Sequence, residues 1–318
     1  SHKAAEVLVE ALPWIKNITG KTVVIKYGGS AMVDAQLRAD VMNDIVLLKI
    51  VGVNPVIVHG GGKAITEAME FVNLPVEFKD GQRVTTPEAM DLVRTVLMGK
   101  VNQELVEALN EHGNFAVGVS GADAGVIVAE QASLDLGRVG RITRINRPLL
   151  DDLVNADYIP VVASVALGED GGFYNVNADM VAGHIAAAIG AHKVVFLTDV
   201  DGLYENFEDK STLISNLTLF EAQYMIENNV VSTGMIPKLK SCVTALDAGV
   251  FRAHILNGTT PHSLLLELLT STGVGTTMHS TEEACKFDSH PLGNFASKLL
   301  ENREQAAAQA AAAERFAG

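Results

Sequence analysis

Residues 55–62 of the chain read PVIVHGGG, an apolar run that ends in a histidine and three glycines. The run has the length and composition of a buried strand, and the glycines leave the following backbone N–H groups uncovered by side chains. A second stretch, TVVIKYGG at residues 22–29, repeats the arrangement with a lysine before its glycines. Two strand-to-glycine turns, one of them carrying a lysine, predict a cradle for phosphate groups.

Outside these turns, apolar runs alternate with helical segments along much of the chain. The runs that predict strands lie at 22–27, 55–59, 159–164, 193–198 and 253–256. Alternation of this kind predicts an α/β fold, a three-layer αβα sandwich with a mostly parallel central sheet. The middle, 115–146, is β-rich and glycine-punctuated. We expect the two halves to be lobes of one continuous sheet.

Composition narrows the class of protein. The 318 residues are 48% hydrophobic and 19% charged, with a formal net charge of −14. This charge argues against a nucleic-acid partner and requires that any anionic substrate be held by local cations. No apolar stretch approaches the roughly 20 residues that span a bilayer, and two cysteines cannot form a disulfide framework. We therefore expect a cytoplasmic protein without a membrane partner.

Several common motifs are absent from the sequence. Gly20-Lys21-Thr22 ends like a Walker A loop, but Ile15 stands where that loop needs its first glycine. The triple glycine does not continue into a dinucleotide-binding fingerprint. Zinc-binding and serine-nucleophile motifs are missing too, and no metal ligand is assigned.

Three charged residues stand at positions where anions bind. Lys26 ends a predicted strand, where open α/β sheets place their ligands. Lys238 lies in the first turn of a predicted helix, an unfavourable position for a cation unless an anion is bound there. Asp179, in the first turn of another predicted helix, could hold two cationic side chains at a fixed separation. Taken singly, each is also compatible with an ordinary surface or helix-start residue.

Two further features have similar alternatives. Arg83 is predicted in a loop before the helix that starts at Thr86-Pro87-Glu88, where it could bind a carboxylate or lie on the surface. Residues 4–18 have the pattern of an amphipathic helix, which we expect Pro13 to interrupt.

Taken together and in order, the motifs resemble the amino acid kinase family. They are Lys-Tyr-Gly-Gly, His-Gly-Gly-Gly, Gly-x-Arg-Val-Thr, Asn-x-Asn-Ala-Asp, Leu-Thr-Asp-x-x-Gly-Leu-Tyr and Gly-Met-Ile-Pro-Lys. The resemblance covers about residues 5–278. It is strongest to the branch that phosphorylates the side-chain carboxylate of N-acetyl-L-glutamate in arginine biosynthesis.

The resemblance implies roles for named residues and for two cofactors. Lys26 and Lys238 would neutralise the phosphoryl group in transfer, and Asp179 would organise both lysines. Substrate would be held by Gly28, Gly29, Gly61, Gly62, Arg83 and Asn175. The nucleotide would lie near Thr198, Asp199, Tyr204, Gly234 and Met235. ATP would be the phosphoryl donor, with Mg²⁺ arriving as MgATP.

It also implies regulation and assembly. The amino end and residues 262–276 are similar to the arginine-inhibited branch, in which L-arginine would bind near Glu267, Gly273 and His254. The homo-oligomer would be a dimer or a hexamer built as a trimer of dimers. The implied domains are an oligomerisation helix (1–20), an acetylglutamate-binding and dimerisation lobe (21–170) and an ATP-binding lobe (171–280). The tail at 281–318 falls outside the resemblance, and we expect its polar, then Ala/Gln/Glu-rich sequence to form a flexible extension.

Two other hypotheses remain at this point. A sister kinase would phosphorylate glutamate, acetylaminoadipate or carbamate. A non-catalytic arginine sensor would keep the fold without the reaction, but such a sensor has no need of two converging lysines.

Overall fold

The computed structural model describes residues 2–29, 32, 34–228, 230–232, 234–270 and 273–280. The predicted extension at 281–318 lies outside the described residues. Within them, the α-helices are α1 (His2–Ile18), α2 (Ala35–Ile50), α3 (Gly62–Phe71), α4 (Pro87–Val96), α5 (Gln103–Asn110), α6 (Pro148–Asn155), α7 (Ala178–Ile189), α8 (Leu219–Glu227), α9 (Ile236–Asp247) and α10 (Ser263–Leu269). A π-helical turn, Leu97–Asn102, joins α4 directly to α5.

The strands of the same region form three sheets. They are β1 (Thr22–Tyr27), β2 (Asn54–His59), β3 (Phe78–Lys79), β4 (Gln82–Arg83), β5 (Ala116–Ser120), β6 (Ile127–Gln131), β7 (Gly140–Ile145), β8 (Ile159–Ala163), β9 (Val165–Gly168), β10 (Phe173–Asn175), β11 (Lys193–Thr198), β12 (Asn216–Thr218), β13 (Arg252–Asn257) and β14 (Thr276–His279). The largest has the order β12-β14-β13-β11-β1-β2-β8-β5, the second β10-β9-β6-β7, and β3 pairs with β4.

The eight-stranded sheet is parallel except where β13 meets β14. Strands of the amino-terminal half occupy one side and strands of the carboxyl-terminal half the other, and the halves join where β1 pairs with β11. The predicted continuous sheet is therefore confirmed. Its central strand, β1, carries Lys26 near its carboxyl end.

Alternating residues of β1 show why the sheet is covered on both faces. Val23 and Ile25 pack into one hydrophobic core, and Val24 packs into another on the opposite face. Because successive strand residues point to opposite faces, an unbroken apolar run needs helices on both sides. The structure confirms the predicted three-layer α/β architecture.

Two local expectations differ from the structure. Helix α1 continues through Pro13 instead of being interrupted there. Arg83 lies in the short strand β4 and is buried, whereas a loop was predicted. The middle is β-rich as predicted: it contributes β5 to the main sheet, and its strands β6 and β7 join β9 and β10 in the second sheet.

In the part of the chain that the structure describes, no helix combines the length and apolar character that crossing a membrane would require.

Candidate active site

The two glycine turns lie side by side at one edge of the main sheet. Tyr27 of β1 is in register with His59 of β2, and Lys26 is in register with Phe196 of β11. Parallel strands in register end at the same edge, where open α/β sheets bind their ligands. A cleft of about 1090 Å³ opens there.

At this edge one carboxylate holds two ammonium groups. The Nζ atom of Lys26 lies 3.0 Å from Oδ1 of Asp179, and Lys238 donates a hydrogen bond of 3.0 Å to Oδ2. The side chains are mostly buried: Lys26 is 11% exposed, Asp179 7% and Lys238 16%. Two positive charges are therefore held close together in a mostly buried site. The residues that the sequence analysis grouped are thus in contact.

Local helix chemistry places Asp179 between the lysines. The side chain of Asn177 caps α7 by accepting hydrogen bonds from the N–H groups of Asp179 and Met180. Burial alone would raise the pKa of Asp179, but the ammonium groups of Lys26 and Lys238 outweigh it and hold that pKa below its ordinary value. The carboxylate is therefore ionised at neutral pH.

The glycines of the first turn leave room for charged side chains. A Cβ atom on Gly28 would lie 2.7 Å from the Lys26 ammonium nitrogen. Gly29 has a φ of +79°, and a Cβ atom there would lie 2.5 Å from a carboxylate oxygen of Asp199. A side chain at Gly28 would displace the Lys26 ammonium group, and one at Gly29 would both strain the backbone and collide with Asp199. The close approach therefore favours glycine at both positions.

Arg83, in the third sheet, and Asn175, in the second sheet, both line the same cleft. Nη2 of Arg83 donates hydrogen bonds to the Gly62 carbonyl oxygen (2.9 Å) and to Oγ1 of Thr66 (2.7 Å). Asn175 donates to Oγ1 of Thr85 at 3.3 Å. These bonds fix Arg83 against α3, immediately beside the triple glycine.

Several charged residues of the cleft were not anticipated. Lys63, Lys100 and the ion pair between Arg38 and Glu104 (3.1 Å) all line it. Lys63 directly follows the triple glycine, and this position beside a predicted phosphate-binding turn could have identified it from the sequence. Lys100 lies in the π-helical turn, which no local sequence pattern indicates.

The predicted nucleotide residues are more scattered. Asp199 lines the cleft, whereas Thr198, Tyr204, Gly234 and Met235 do not. Thr198 ends β11 and is buried, and Tyr204 donates a hydrogen bond of 2.5 Å to Asp201. Met235 immediately precedes α9, three residues before Lys238 in the sequence. Within the described ranges, no group of three or more His, Cys, Asp and Glu side chains is arranged to hold a metal ion.

The predicted regulatory residues meet in a separate, buried cluster. Glu267 lies 2.7 Å from Nδ1 of His254 and accepts hydrogen bonds from Thr277 Oγ1 and the Val274 N–H, each 2.7 Å long. A Cβ atom on Gly273 would lie 2.7 Å from Glu267. Burial raises the pKa of Glu267, but its hydrogen bonds, the one with His254 foremost, outweigh that effect and lower the pKa to about 2.

Buried histidines predict a pH-dependent stability. Burial lowers the pKa values of His59, His254 and His279 from 6.5 to about 4. Between these values the unfolded chain binds protons that the folded chain does not, so stability falls as the pH drops. Each histidine contributes up to about 3 kcal/mol to this loss. Asp44, whose pKa burial raises to about 6, acts in the opposite direction.

We expect the free energy of unfolding in urea to be several kcal/mol lower at about pH 4.5 than at about pH 7. His279→Gln should make this dependence shallower, whereas His112→Gln, at an exposed position, should leave it unchanged. Equal slopes for wild type and His279→Gln would contradict the assignment.

Comparison with known proteins defines the class. Residues 21–257 match the sequence profile of the amino acid kinase family. The match covers well over half of the chain, which therefore belongs to the amino acid kinase family. Among its curated relatives, the acetylglutamate kinase of Caldanaerobacter subterraneus subsp. tengcongensis is 50% identical over 274 residues, 86% of this chain and 92% of that protein. The acetylglutamate kinase of Corynebacterium glutamicum (strain R) is 48% identical over 283 residues, 87% and 89% respectively.

Solved structures agree on the fold. An N-acetylglutamate synthase from Neisseria gonorrhoeae, complexed with coenzyme A and N-acetyl-glutamate, matches with a TM-score of 0.77 and 25% identity. The match covers 87% of this chain but only 63% of that synthase. A carbamate kinase from Giardia lamblia, 14% identical, matches with a TM-score of 0.63 over 82% of this chain and 99% of that protein. These structures confirm the predicted fold, and the profile match and the curated relatives confirm the predicted family.

Proposed function

We propose that the protein transfers the γ-phosphoryl group of ATP to the side-chain carboxylate of N-acetyl-L-glutamate, a step of arginine biosynthesis. The observation that carries the proposal is the Lys26–Asp179–Lys238 contact beside two glycine turns. We infer the substrate from relatives named acetylglutamate kinase, which are 48–50% identical to this chain over most of both sequences.

The proposed reaction brings two anions together. The acceptor carboxylate is already ionised at neutral pH, so it attacks the γ-phosphorus without a general base. Catalysis then depends on holding the reactants in line and on neutralising charge on the phosphoryl oxygens. Lys26 and Lys238 serve the second purpose, and Asp179 keeps them together before the substrates arrive.

Arg83 and Asn175 are proposed to hold the acetylated substrate. Among described residues, the Arg83 guanidinium uses three of its five N–H donors, on Gly62, Thr66 and Met69, which leaves donors for a carboxylate. The N–H groups of Gly28, Gly29, Gly61 and Gly62 are proposed to bind phosphoryl and substrate oxygens, since backbone donors of this kind suit anions.

MgATP is proposed to bind to the carboxyl-terminal half, residues 171–280, beside Thr198, Asp199, Tyr204, Gly234 and Met235. Residues 21–170 would bind acetylglutamate and form a dimer. Mg²⁺ arrives with the nucleotide as part of that substrate, and the reaction takes place in the cytoplasm.

A trapping assay tests the substrate. The protein is incubated with MgATP, hydroxylamine and one acid at a time: N-acetyl-L-glutamate, glutamate, acetylaminoadipate or bicarbonate with ammonia. Acyl phosphates formed from the amino acids react to hydroxamates, and ADP release is followed in parallel for all four. We expect product with N-acetyl-L-glutamate far above the others. Product with another acid alone would overturn the proposal.

Feedback inhibition by L-arginine is proposed to act through Glu267, His254 and Gly273. Two observations support it: these residues form one buried cluster, and α1 packs against α10, the helix that carries Glu267. The proposed assembly is a hexamer, a trimer of dimers joined through the helix in residues 1–20.

Deleting residues 1–18 is expected to reduce the assembly to dimers and to abolish inhibition by arginine. The reason is that α1 contacts α10, the helix that carries Glu267 of the proposed regulatory cluster. Light scattering measures the mass, and the ADP assay with and without arginine measures the response. A deletion variant with unchanged mass and unchanged inhibition would contradict this proposal.

A further inference from the structure

His59 ends β2 and precedes the three glycines, and the mechanism above gives it no role. Its ring is fully buried. Nδ1 lies 2.9 Å from the Gly60 carbonyl oxygen, and Nε2 lies 2.9 Å from Nδ2 of Asn102. A neutral imidazole has one donor nitrogen and one acceptor nitrogen. His59 must therefore donate a hydrogen bond in one of these two contacts and accept one in the other.

Asn102 decides which nitrogen of His59 carries the proton. Its Nδ2 also lies 2.8 Å from the Val161 carbonyl oxygen, which can only accept, so Nδ2 is correctly assigned as the NH₂ group. Its Oδ1 is buried and has no hydrogen-bond partner among the described residues. The amide therefore donates to Nε2, and the His59 proton lies on Nδ1, which donates to the Gly60 carbonyl.

The π-helical turn brings Asn102 and two apolar neighbours to the glycine turn. Leu97 and Asn102 are its first and last residues, one i→i+5 step apart. A Cβ atom on Gly61 would lie 2.7 Å from Leu97 and 3.1 Å from Val101, so this turn packs directly against the glycine. Inserted π turns recur at functional sites of helices.

The direction of the Gly60 carbonyl has a consequence for the cleft. This carbonyl shares a peptide unit with the Gly61 N–H, and a planar trans peptide points the two groups in opposite directions. Glycines have the widest conformational freedom of any residue, so contacts outside the turn must fix it. Gly60, Gly61 and Gly62 all line the cleft.

We propose that Asn102 is a positioning residue, which fixes His59 in its Nδ1–H tautomer and thereby sets the direction of the Gly61 N–H in the substrate cleft. The inference rests on the proposed function, since its effect on rate is felt through phosphoryl transfer. Among the described residues, the side-chain hydrogen bonds of His59 and Asn102 go to Gly60, to Val161 and to each other, and none goes to Lys26, Asp179 or Lys238.

Three variants test the proposal. Asn102→Leu removes both donors while keeping a similar volume. Gly118→Ala adds a Cβ atom that would overlap Oδ1 of Asn102, so it displaces the amide without changing it. The control is Asn110→Leu in α5, which removes the hydrogen bonds of Asn110 to Phe115 and Ala116 but touches no part of the glycine turn.

We expect kcat to fall about 10- to 100-fold in Asn102→Leu and Gly118→Ala, with KM for MgATP within about twofold, as for a small misplacement of substrate. Asn110→Leu, compared at equal folded fraction, should keep its kcat. A kcat for Asn102→Leu equal to that of Asn110→Leu would overturn the proposal.

Nitrogen-15 NMR supplies a readout that needs no turnover. The wild type should show His59 neutral with its proton on Nδ1, and Asn102→Leu should shift the Gly61 amide resonance, whereas Asn110→Leu should not. A wild-type proton on Nε2, or an unmoved Gly61 resonance, would overturn the inference. Because these spectra are recorded without substrate, they decide it even if acetylglutamate proves not to be the acceptor.

Discussion

Lys238→Ala is expected to lower kcat by about 10²–10³-fold while the folded state persists. Lys238 donates to Asp179 from the first turn of α9, and it is one of two ammonium groups proposed to face the transferring phosphoryl group. Removing one preorganised donor from a developing negative charge typically costs a factor of this size. Because Lys238 is mostly buried and paired with Asp179, urea unfolding is measured alongside and rates are compared at equal folded fraction.

The matched control is Lys240→Ala, an exposed position two residues further along α9. It removes the same charge from the same helix, so it accounts for any general change in the field at the helix start. Steady-state ADP release with saturating substrates measures both variants. Comparable rates for the two would remove Lys238 from the proposed mechanism.

Asp179→Asn is expected to have the largest effect, a loss in kcat of about 10³–10⁴-fold, because it releases both lysines at once. The carboxylate offers one oxygen to each ammonium group, at 3.0 Å from Lys26 and 3.0 Å from Lys238. An amide keeps a single oxygen and turns its NH₂ group towards one of the two cations. The cations then repel each other across a mostly buried site.

The same substitution should change stability in a pH-dependent way. The pKa of Asp179 is held below its ordinary value, so its stabilising contribution is present above the unfolded pKa and is lost as the pH falls through the folded one. Asp179→Asn should therefore be less stable than wild type at neutral pH, with the difference shrinking in acid. Urea unfolding at several pH values measures it.

Asp151→Asn serves as the control for this series. Asp151 also lies in the first turn of a helix, α6, and pairs with Arg147 at 2.5 Å, but away from the cleft. It should keep full activity. If Asp179→Asn were as active as Asp151→Asn, the lysines would not need their shared carboxylate.

The centre of the fold was predictable from sequence because its strands are buried on both faces. An apolar run such as Val23-Val24-Ile25 has one structural explanation once helices alternate with it. The glycine turns followed from the same runs. The first-turn positions of Asp179 and Lys238 were also predictable, because Asn177 caps α7 and Pro237 lies in the first turn of α9, and both residue types favour helix starts. The family is confirmed, whereas the individual roles of these residues stay predictions.

The features of the fold that the sequence did not predict are determined by tertiary contacts. The edge strand β12 and its neighbour β14 are short, and β14 pairs with β12 on one side and with β13 on the other, across long sequence separations. The π-helical turn depends on one additional residue accommodated against the glycine turn, which no local pattern indicates. Pro13 stays within α1, although it lacks the N–H that an interior position uses.

Arg83 illustrates the same limit within the site. As an arginine in a polar, turn-rich segment it was compatible with the surface, yet its guanidinium is buried against Gly62, Thr66 and Met69. Those partners lie on α3, and only the folded chain brings α3 and β4 together. The residue type indicated a carboxylate-binding role, whereas the burial of Arg83 could not be predicted from the sequence.

Oxygen-18 transfer tests the central claim most directly. N-Acetyl-L-glutamate labelled with oxygen-18 in its side-chain carboxylate is incubated with the protein, MgATP and hydroxylamine, and the released phosphate is analysed by mass spectrometry. If the carboxylate attacks the γ-phosphorus, each phosphate released by hydroxylamine carries one oxygen-18 atom from the acid. Phosphate without the label, formed at the rate of ADP release, would show that the protein hydrolyses ATP without forming the acyl phosphate.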